Sequence, residues 1–504
     1  MPDLSSGLRA LACAAALLAL DLAPPALRAA AAKDPAKDPP EQRSETRGTV
    51  AIDGVAVTYS AVASTITLRD HEGRPKASVF TVAYVKDGED PATRPVTFAF
   101  NGGPGSSSVW LHLGALGPRR VALGPEGEAV PPPGRLVDNA SSWLDLTDLV
   151  FVDPVSTGYS RAVEGQDPKQ FHGLEEDVAW VGELIRLWTT RHGRWGSPKL
   201  LAGESYGTTR AAALARHLRG AHGLELNGVV LVSPVLDFRT IRFDEGNDEP
   251  YWLFLPSYTA AAWFHGRLEP ALQADLDRTL AEAERWARTV YLPALAAGDA
   301  LPAAEAEQVA RALARLTGLP VDLVRRSRLR VSQGRFCKEL LRADGRTLGR
   351  FDARYTGRDA DEAGAWPGYD PSYAAVQGPF TAGVYEHVRR GLGFEVDMPY
   401  EVLTGRVHPW SYRGAQNRYV NVTGDLRDAM LQNEGLHVLF CGGLYDLATP
   451  YFAMDYTLAH LDPSLRPRLH RATYRAGHMM YLREEDLVRL KADARRFYAA
   501  ALRR

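Results

Sequence analysis

Leu200-Leu201-Ala202-Gly203-Glu204-Ser205-Tyr206-Gly207-Thr208 is the stretch on which the reading of this chain turns. Three apolar residues run up to a serine with a glycine two places away on either side, and residues 208–218 continue as a helical run rich in alanine and arginine. A serine raised on a sharp strand-to-helix turn sits in strained backbone and needs neighbours without bulky Cβ atoms, which Gly203 and Gly207 supply. With 22 serines and 45 glycines in the chain, chance alone furnishes about 0.2 such matches, so the strand before and the helix after carry the assignment.

Short apolar runs of the same kind recur on both sides of this turn. Residues 96–100, 149–152, 200–202, 229–232, 436–440 and 471–474 each end in or near glycine, aspartate or proline, the pattern of buried parallel strands. Between the second and third, Leu174, Val178, Val181, Ile185 and Trp188 are spaced as one apolar face of a helix. Strand, helix, strand in that order implies a right-handed parallel crossover and an α/β class. The rhythm breaks over 241–396, where helical patterns such as 272–295 and 303–316 alternate with loops rich in aspartate, glycine and aromatics; this reads as a mainly helical insertion, expected to cap the serine.

An activated serine needs a base and an acid to orient the base, and on strand-turn-helix serine sites these follow in the order acid, then histidine. Asp446 stands in Cys441-Gly442-Gly443-Leu444-Tyr445-Asp446 after one strand, and His478 in Ala476-Gly477-His478 after the last. The 32 residues between them leave room for a helix and a strand, which would bring both loops to one sheet edge. A third element, Asn101-Gly102-Gly103-Pro104-Gly105-Ser106-Ser107-Ser108, closes the strand at 96–100. Its glycine pair lets backbone N–H groups turn toward a developing oxyanion, as the residue after the nucleophile also does. A phosphate cradle is the competing reading, but no lysine follows and the spacing fits neither phosphate-loop pattern.

These blocks, with Leu116-Gly117-Pro118, Asn139, Ser142-Trp143, the run from Asp153 to Ser160 and Gly477-His478-Met479, resemble the serine carboxypeptidase family of the α/β-hydrolase clan, in family order from Phe98 to Tyr481. The resemblance implies an α/β-hydrolase fold with a mainly parallel sheet and helices on both faces. It implies Ser205 as nucleophile, His478 as general base and acid, Asp446 as its orienter, the N–H groups of Gly103 and Tyr206 as oxyanion hole, and Asn101 and Glu204 as holders of a peptide's C-terminal carboxylate. No metal or other cofactor is implied. Three departures stand out: Ser106 replaces a common cysteine, the Asp153–Ser160 run is one residue short with Ser156 at a usual glycine, and Ala115 replaces a glutamate that often precedes Leu-Gly-Pro.

Composition bounds the rest. Of 504 residues, 45% are apolar and 24% charged, which excludes disordered, collagen-like and coiled-coil chains. A net charge of −2 gives no field for nucleic acid or an anionic membrane. Arginines outnumber lysines 51 to 8, so the cluster Arg325, Arg326, Arg328 and Arg330 reads as a solvated helix face. The apolar run 11–20, interrupted at Asp21 and followed by small residues 29–32, reads as a cleaved export signal, too short to span a bilayer. The expected division is a signal at 1–32, a disordered linker at 33–47, core at 48–240, cap at 241–396 and core again at 397–504, secreted or periplasmic. Cys337 and Cys441 read as two buried small hydrophobes, with pairing in an oxidising compartment the alternative. The expected activity is release of C-terminal residues from peptides with a free C-terminus. The rivals are an esterase or acyltransferase with the same serine, acid and histidine, and a catalytically silent binding protein.

Overall fold

The computed structural model describes residues 39–503; the export signal and residues 33–38 of the expected linker lie outside them. Nine strands carry the architecture: β1 (Arg43–Ile52), β2 (Val55–Arg69), β3 (Pro75–Lys86), β4 (Val96–Phe100), β5 (Asp148–Val152), β6 (Lys199–Glu204), β7 (Gly228–Val232), β8 (His437–Gly443) and β9 (Leu469–Tyr474). They lie in the order β1-β2-β3-β5-β4-β6-β7-β8-β9, with the two-residue strand Arg161–Ala162 also paired to β3. From β5 to β9 every neighbouring pair is parallel, whereas β1, β2 and β3 join antiparallel. That order, with its exchange of β4 and β5, is the α/β-hydrolase fold.

The six apolar runs legible in the sequence are β4 to β9, and the reason is visible in where their side chains go. Phe98, Phe100, Val150, Leu201, Val229, Leu231, Val438 and Phe440 enter one core cluster. Their immediate neighbours Ala99, Leu149, Phe151, Leu200, Ala202, Val230 and Leu439 enter the other. Both faces of the sheet are covered, so the strands must be apolar throughout rather than alternating. Helices α1 (Leu174–Arg191) and α2 (Tyr206–His222) bury Val181, Ile185, Leu214 and Leu218 in the first cluster.

Two expectations are corrected. The linker does not run to 47, because β1 begins at Arg43 and pairs along β2 from Arg43↔Ser64 to Ile52↔Val55. Asp53-Gly54, at φ 50° and 80°, forms the turn, a hairpin signal of the left-handed two-residue type. Residues 397–436, ahead of β8, place Thr404, His408 and Tyr412 on the cleft over the serine and supply a helix, Thr423–Gln432, that buries Leu426, Ala429 and Met430 in the first cluster. The insertion is also not one body. Helix α3 (Glu249–Phe264) packs in the first cluster, setting Trp252 against Phe452 of a later helix at 5.7 Å. Helix α4 (Pro371–Glu386) instead buries Val376, Phe380 and Val384 in the second, on the opposite face of the sheet. The split follows from sequence: α3 is apolar over most of its circumference and must be enclosed, while α4 carries a single short apolar stripe. No helix among the described residues is long and apolar enough to cross a membrane.

Candidate active site

Ser205 closes β6 and precedes the first residue of α2, with φ 59° and ψ −127°, a sparsely populated conformation that persists only where surroundings enforce it. They do so here. The Ser205 N–H donates to the Val232 carbonyl at 3.0 Å, and its own carbonyl accepts from the Thr208 N–H at 2.8 Å and the Thr208 hydroxyl at 2.6 Å. A Cβ on Gly203 would stand 2.2 Å from the Gly207 carbonyl oxygen, so the two flanking glycines are required by close packing of the turn on itself.

The segment after β4 lies against the start of α2. A Cβ on Gly102 would come within 2.4 Å of the Tyr206 nitrogen, so the Gly102-Gly103 backbone abuts the helix N-terminus that carries Tyr206. Unpaired N–H groups and the helix dipole make such an end favourable for negative charge. Arg210, one turn along α2, secures the arrangement. Its guanidinium donates to the Asn101 carbonyl at 2.6 Å and to Asp177 of α1 at 2.7 Å, and it lies over the rings of Phe100 and Tyr206. Asp177 and Arg210 are both fully enclosed.

His478 follows β9, and its Nδ1 lies 2.7 Å from Oδ2 of Asp446, which follows β8 and is wholly buried. The carboxylate fixes the ring proton on Nδ1 and leaves the Nε2 lone pair to accept a proton. Asp446 is itself oriented by the N–H groups of Ala448 and Thr449, at 2.7 and 2.9 Å. The Thr449 hydroxyl lies 2.8 Å from Asp446 Oδ2 and 3.0 Å from the Ser233 carbonyl, either of which it can satisfy. The insertion supplies the other restraints. Phe351 stacks on the His478 ring with centroids 5.0 Å apart, its carbonyl accepts the His478 N–H, and Asp352 accepts the Gly477 N–H at 3.0 Å.

Glu204 is 3% exposed. Burial pushes its carboxyl up to about 7, against the opposing pull of His478 and of hydrogen bonds from Tyr481 and Asn101. The Tyr481 hydroxyl donates to it at 2.7 Å. Asn101 is equally enclosed, and its Oδ1 accepts the Leu111 N–H at 3.1 Å.

All seven residues singled out from sequence except Asp446 line one cleft of about 540 Å³, and Asp446 lies directly behind His478. Phe238, Phe243, Phe254, Trp110, Phe351 and Tyr373 give the cleft aromatic walls. Where relatives have a cysteine, Ser106 accepts from the Trp110 indole at 2.9 Å and pairs with Leu403, tying the turn to the cleft rim without a covalent link. Ser156 keeps the left-handed backbone of the usual glycine, at φ 77°, and its hydroxyl pairs with His172 at 2.8 Å. Ala115 is buried in the second core cluster and offers no carboxylate. Sequence reading missed Arg210, Asp177, Thr449, Phe351, Asp352 and Tyr481. Of these, Tyr481, three residues after His478, was marked only as the end of the span that the resemblance covers.

Chemically, the arrangement is that of a serine hydrolase site: a strained serine, a histidine held by a buried carboxylate, and a helix N-terminus facing a glycine pair. Among solved structures, a thermophilic esterase from Thermogutta terrifontis covers 88% of this chain and 99% of that chain, at 13% identity and TM-score 0.33. Serine carboxypeptidase-like 16 of Arabidopsis thaliana is 28% identical over 165 residues, 31% of this chain and 36% of the relative. Serine carboxypeptidase-like 19 of the same plant is 28% identical over 167 residues, 31% of this chain and 34% of the relative. The chain thus spans about a third of the length of these relatives. Asp446 and His478 fall beyond the family-model match. Over residues 73–258, which hold Asn101, Gly103, Glu204, Ser205 and Tyr206, the chain matches the family model described as serine carboxypeptidase.

Proposed function

We propose that this chain is a serine-type carboxypeptidase that releases the C-terminal residue of a peptide through an acyl-enzyme on Ser205. Nε2 of His478 takes the Ser205 proton as Oγ attacks the scissile carbonyl carbon. The resulting oxyanion is held by the N–H groups of Gly103 and Tyr206. As the intermediate collapses, the C–N bond breaks and the imidazolium returns its proton to the leaving nitrogen. Water then repeats the sequence on the acyl ester, with His478 again as base. The apolar run at 11–20 supports export, and hence a secreted or periplasmic setting.

The observation that carries the peptidase reading is Glu204, a buried carboxyl next to the serine, raised to about 7 and hydrogen-bonded to Asn101. A protonated acid and an amide side by side are suited to a substrate carboxylate, which accepts a hydrogen bond from each. Ala115 favours a second reading, an esterase or acyltransferase, because the second acid of that device is missing.

One assay separates them. Blocked dipeptides, their C-terminal amides and a nitrophenyl ester are incubated with the protein, and a fluorophosphonate labels the serine. Amino acid released from free acids but not from amides supports the carboxypeptidase; ester turnover alone supports the second reading. Ser205→Ala should abolish labelling and lower kcat by at least about 10⁴-fold. Labelling that survives in this variant refutes the assignment.

A further inference from the structure

We infer that Arg350, at the rim of the cleft, reads an acidic side chain on the leaving residue of the substrate; the inference rests on the carboxypeptidase reading above. Two arginines line the cleft, Arg242 and Arg350, while Glu204 is the sole acid among its lining residues. Neither guanidinium forms an ion pair among the described residues, although most arginines of this chain do. Neither Asp352 nor Asp370 pairs with the Arg350 guanidinium. Asp352 holds Arg354 at 2.7 Å and the Gly477 N–H. Asp370 caps α4 and accepts the Arg350 backbone N–H at 3.1 Å through Oδ1, while its Oδ2, buried without a hydrogen-bond partner, makes no ion pair with the Arg350 guanidinium. The backbone of Arg350 is therefore tied down while its charge is unspent.

Placement gives that charge a direction. The Arg350 guanidinium lies 4.4 Å from the centroid of the Phe351 ring, and Phe351 stacks in turn on His478. His478 delivers its proton to the leaving nitrogen, so the group that departs lies on the histidine's side of the serine, the side on which Arg350 stands. Asn101 and Glu204, buried at the floor, are placed for the α-carboxylate, whereas exposed Arg350 at the rim is placed for what projects outward. A planar fork of N–H donors fits a carboxylate bidentately, and the aromatic wall of Trp110, Phe351 and Tyr373 keeps the pair partly shielded from water.

The experiment compares blocked dipeptides that differ only in a leaving Glu, Gln or Leu, on wild type, Arg350→Gln, Arg350→Lys and Arg242→Gln. In wild type kcat/KM for Glu should exceed that for Gln by about tenfold. Arg350→Gln should bring the ratio near one, with Arg350→Lys between. A wild-type ratio near one, or a ratio that survives in Arg350→Gln, overturns the assignment. Equal losses on all three substrates overturn it in favour of the α-carboxylate, and equal losses of the ratio in Arg242→Gln in favour of a general positive field. Should no dipeptide release an amino acid while the nitrophenyl ester is turned over, the carboxypeptidase reading fails by itself. Arg350 is then tested by the same dipeptides as inhibitors of ester turnover. A Ki lower for Glu than for Gln, and equalised in Arg350→Gln, upholds it; equal Ki values in wild type overturn it.

Discussion

Burial of Glu204 behind Tyr481 and Asn101 pushes its carboxyl up to about 7, so the side chain carries a proton through the acid range and can donate it to a bound carboxylate. Above that pH both groups are charged, and at ~3 Å with an effective dielectric of 20 they repel by roughly 5 kcal/mol. On the proposed function, affinity for a free C-terminus should therefore be present below about 7 and lost as pH rises through it. KM for a blocked dipeptide should climb across that pH, KM for its amide should stay level, and Glu204→Gln should flatten the dipeptide curve. Amides bound as tightly as acids, or a dipeptide KM indifferent to pH, would show that Glu204 does not read a carboxylate. Among histidines, His478→Ala should be as damaging as loss of the serine. His437→Ala should leave kcat unchanged, because that ring faces His470 at 3.1 Å on the strands, far from any role in the cleft.

In the proposed mechanism, the junction of the turn after β4 with α2 is the element on which oxyanion binding depends. Gly102 has no room for a side chain, since the atoms a Cβ would strike are the backbone nitrogens of Tyr206 and Gly207. Gly102→Ala must push the two donor segments apart, and kcat on the nitrophenyl ester should fall by about 10²- to 10³-fold with little change in KM. An alanine variant of wild-type kcat would mean that the N–H groups near Gly103 do not serve the transition state. Arg210 and Asp177 hold α2, α1 and the Asn101 carbonyl together from inside the core. Arg210→Met leaves Asp177 buried without a partner, at a cost of about 3–5 kcal/mol in urea unfolding, and the double change Asp177→Asn with Arg210→Met should recover part of it. A single variant as stable as wild type would mean that water reaches Asp177.

At the scale of the molecule, the insertion does more than cover the cleft. Residues 351 and 352 brace the histidine loop by stacking and by hydrogen bonds to Gly477 and His478, so the base is positioned by a segment about a hundred residues earlier in the chain. The two core clusters also separate the cysteines: Cys337 lies in the first and Cys441 in the second, both buried and unpaired. Burial pushes each thiol up to about 12, so neither presents a thiolate. In the folded protein a thiol reagent should leave both unmodified, and unfolding in urea should expose both together, as read by mass mapping. Rapid labelling of either cysteine before unfolding would contradict the enclosure of its cluster.

The strand runs and the serine turn were legible in the sequence because each is local, and the order serine, aspartate, histidine because each of the three follows such a run. An enclosed strand is apolar at every position, and a nucleophile on a tight turn is flanked by glycine. The hairpin at Asp53-Gly54 was equally local, but the first residues of its leading strand, Arg43 to Arg47, carry no large apolar side chain and passed for the end of a tether. Long-range packing decided the remainder. Glu204 acquires its raised carboxyl only when folding buries it, and Tyr481, 277 residues away, donates the hydrogen bond that partly offsets the rise. Arg210 becomes a clamp only when α1 presents Asp177, and Arg350 faces the cleft only because Phe351 docks on His478. Desolvation and charge pairing arise from neighbours in space, and no periodicity along the chain records which residues those will be.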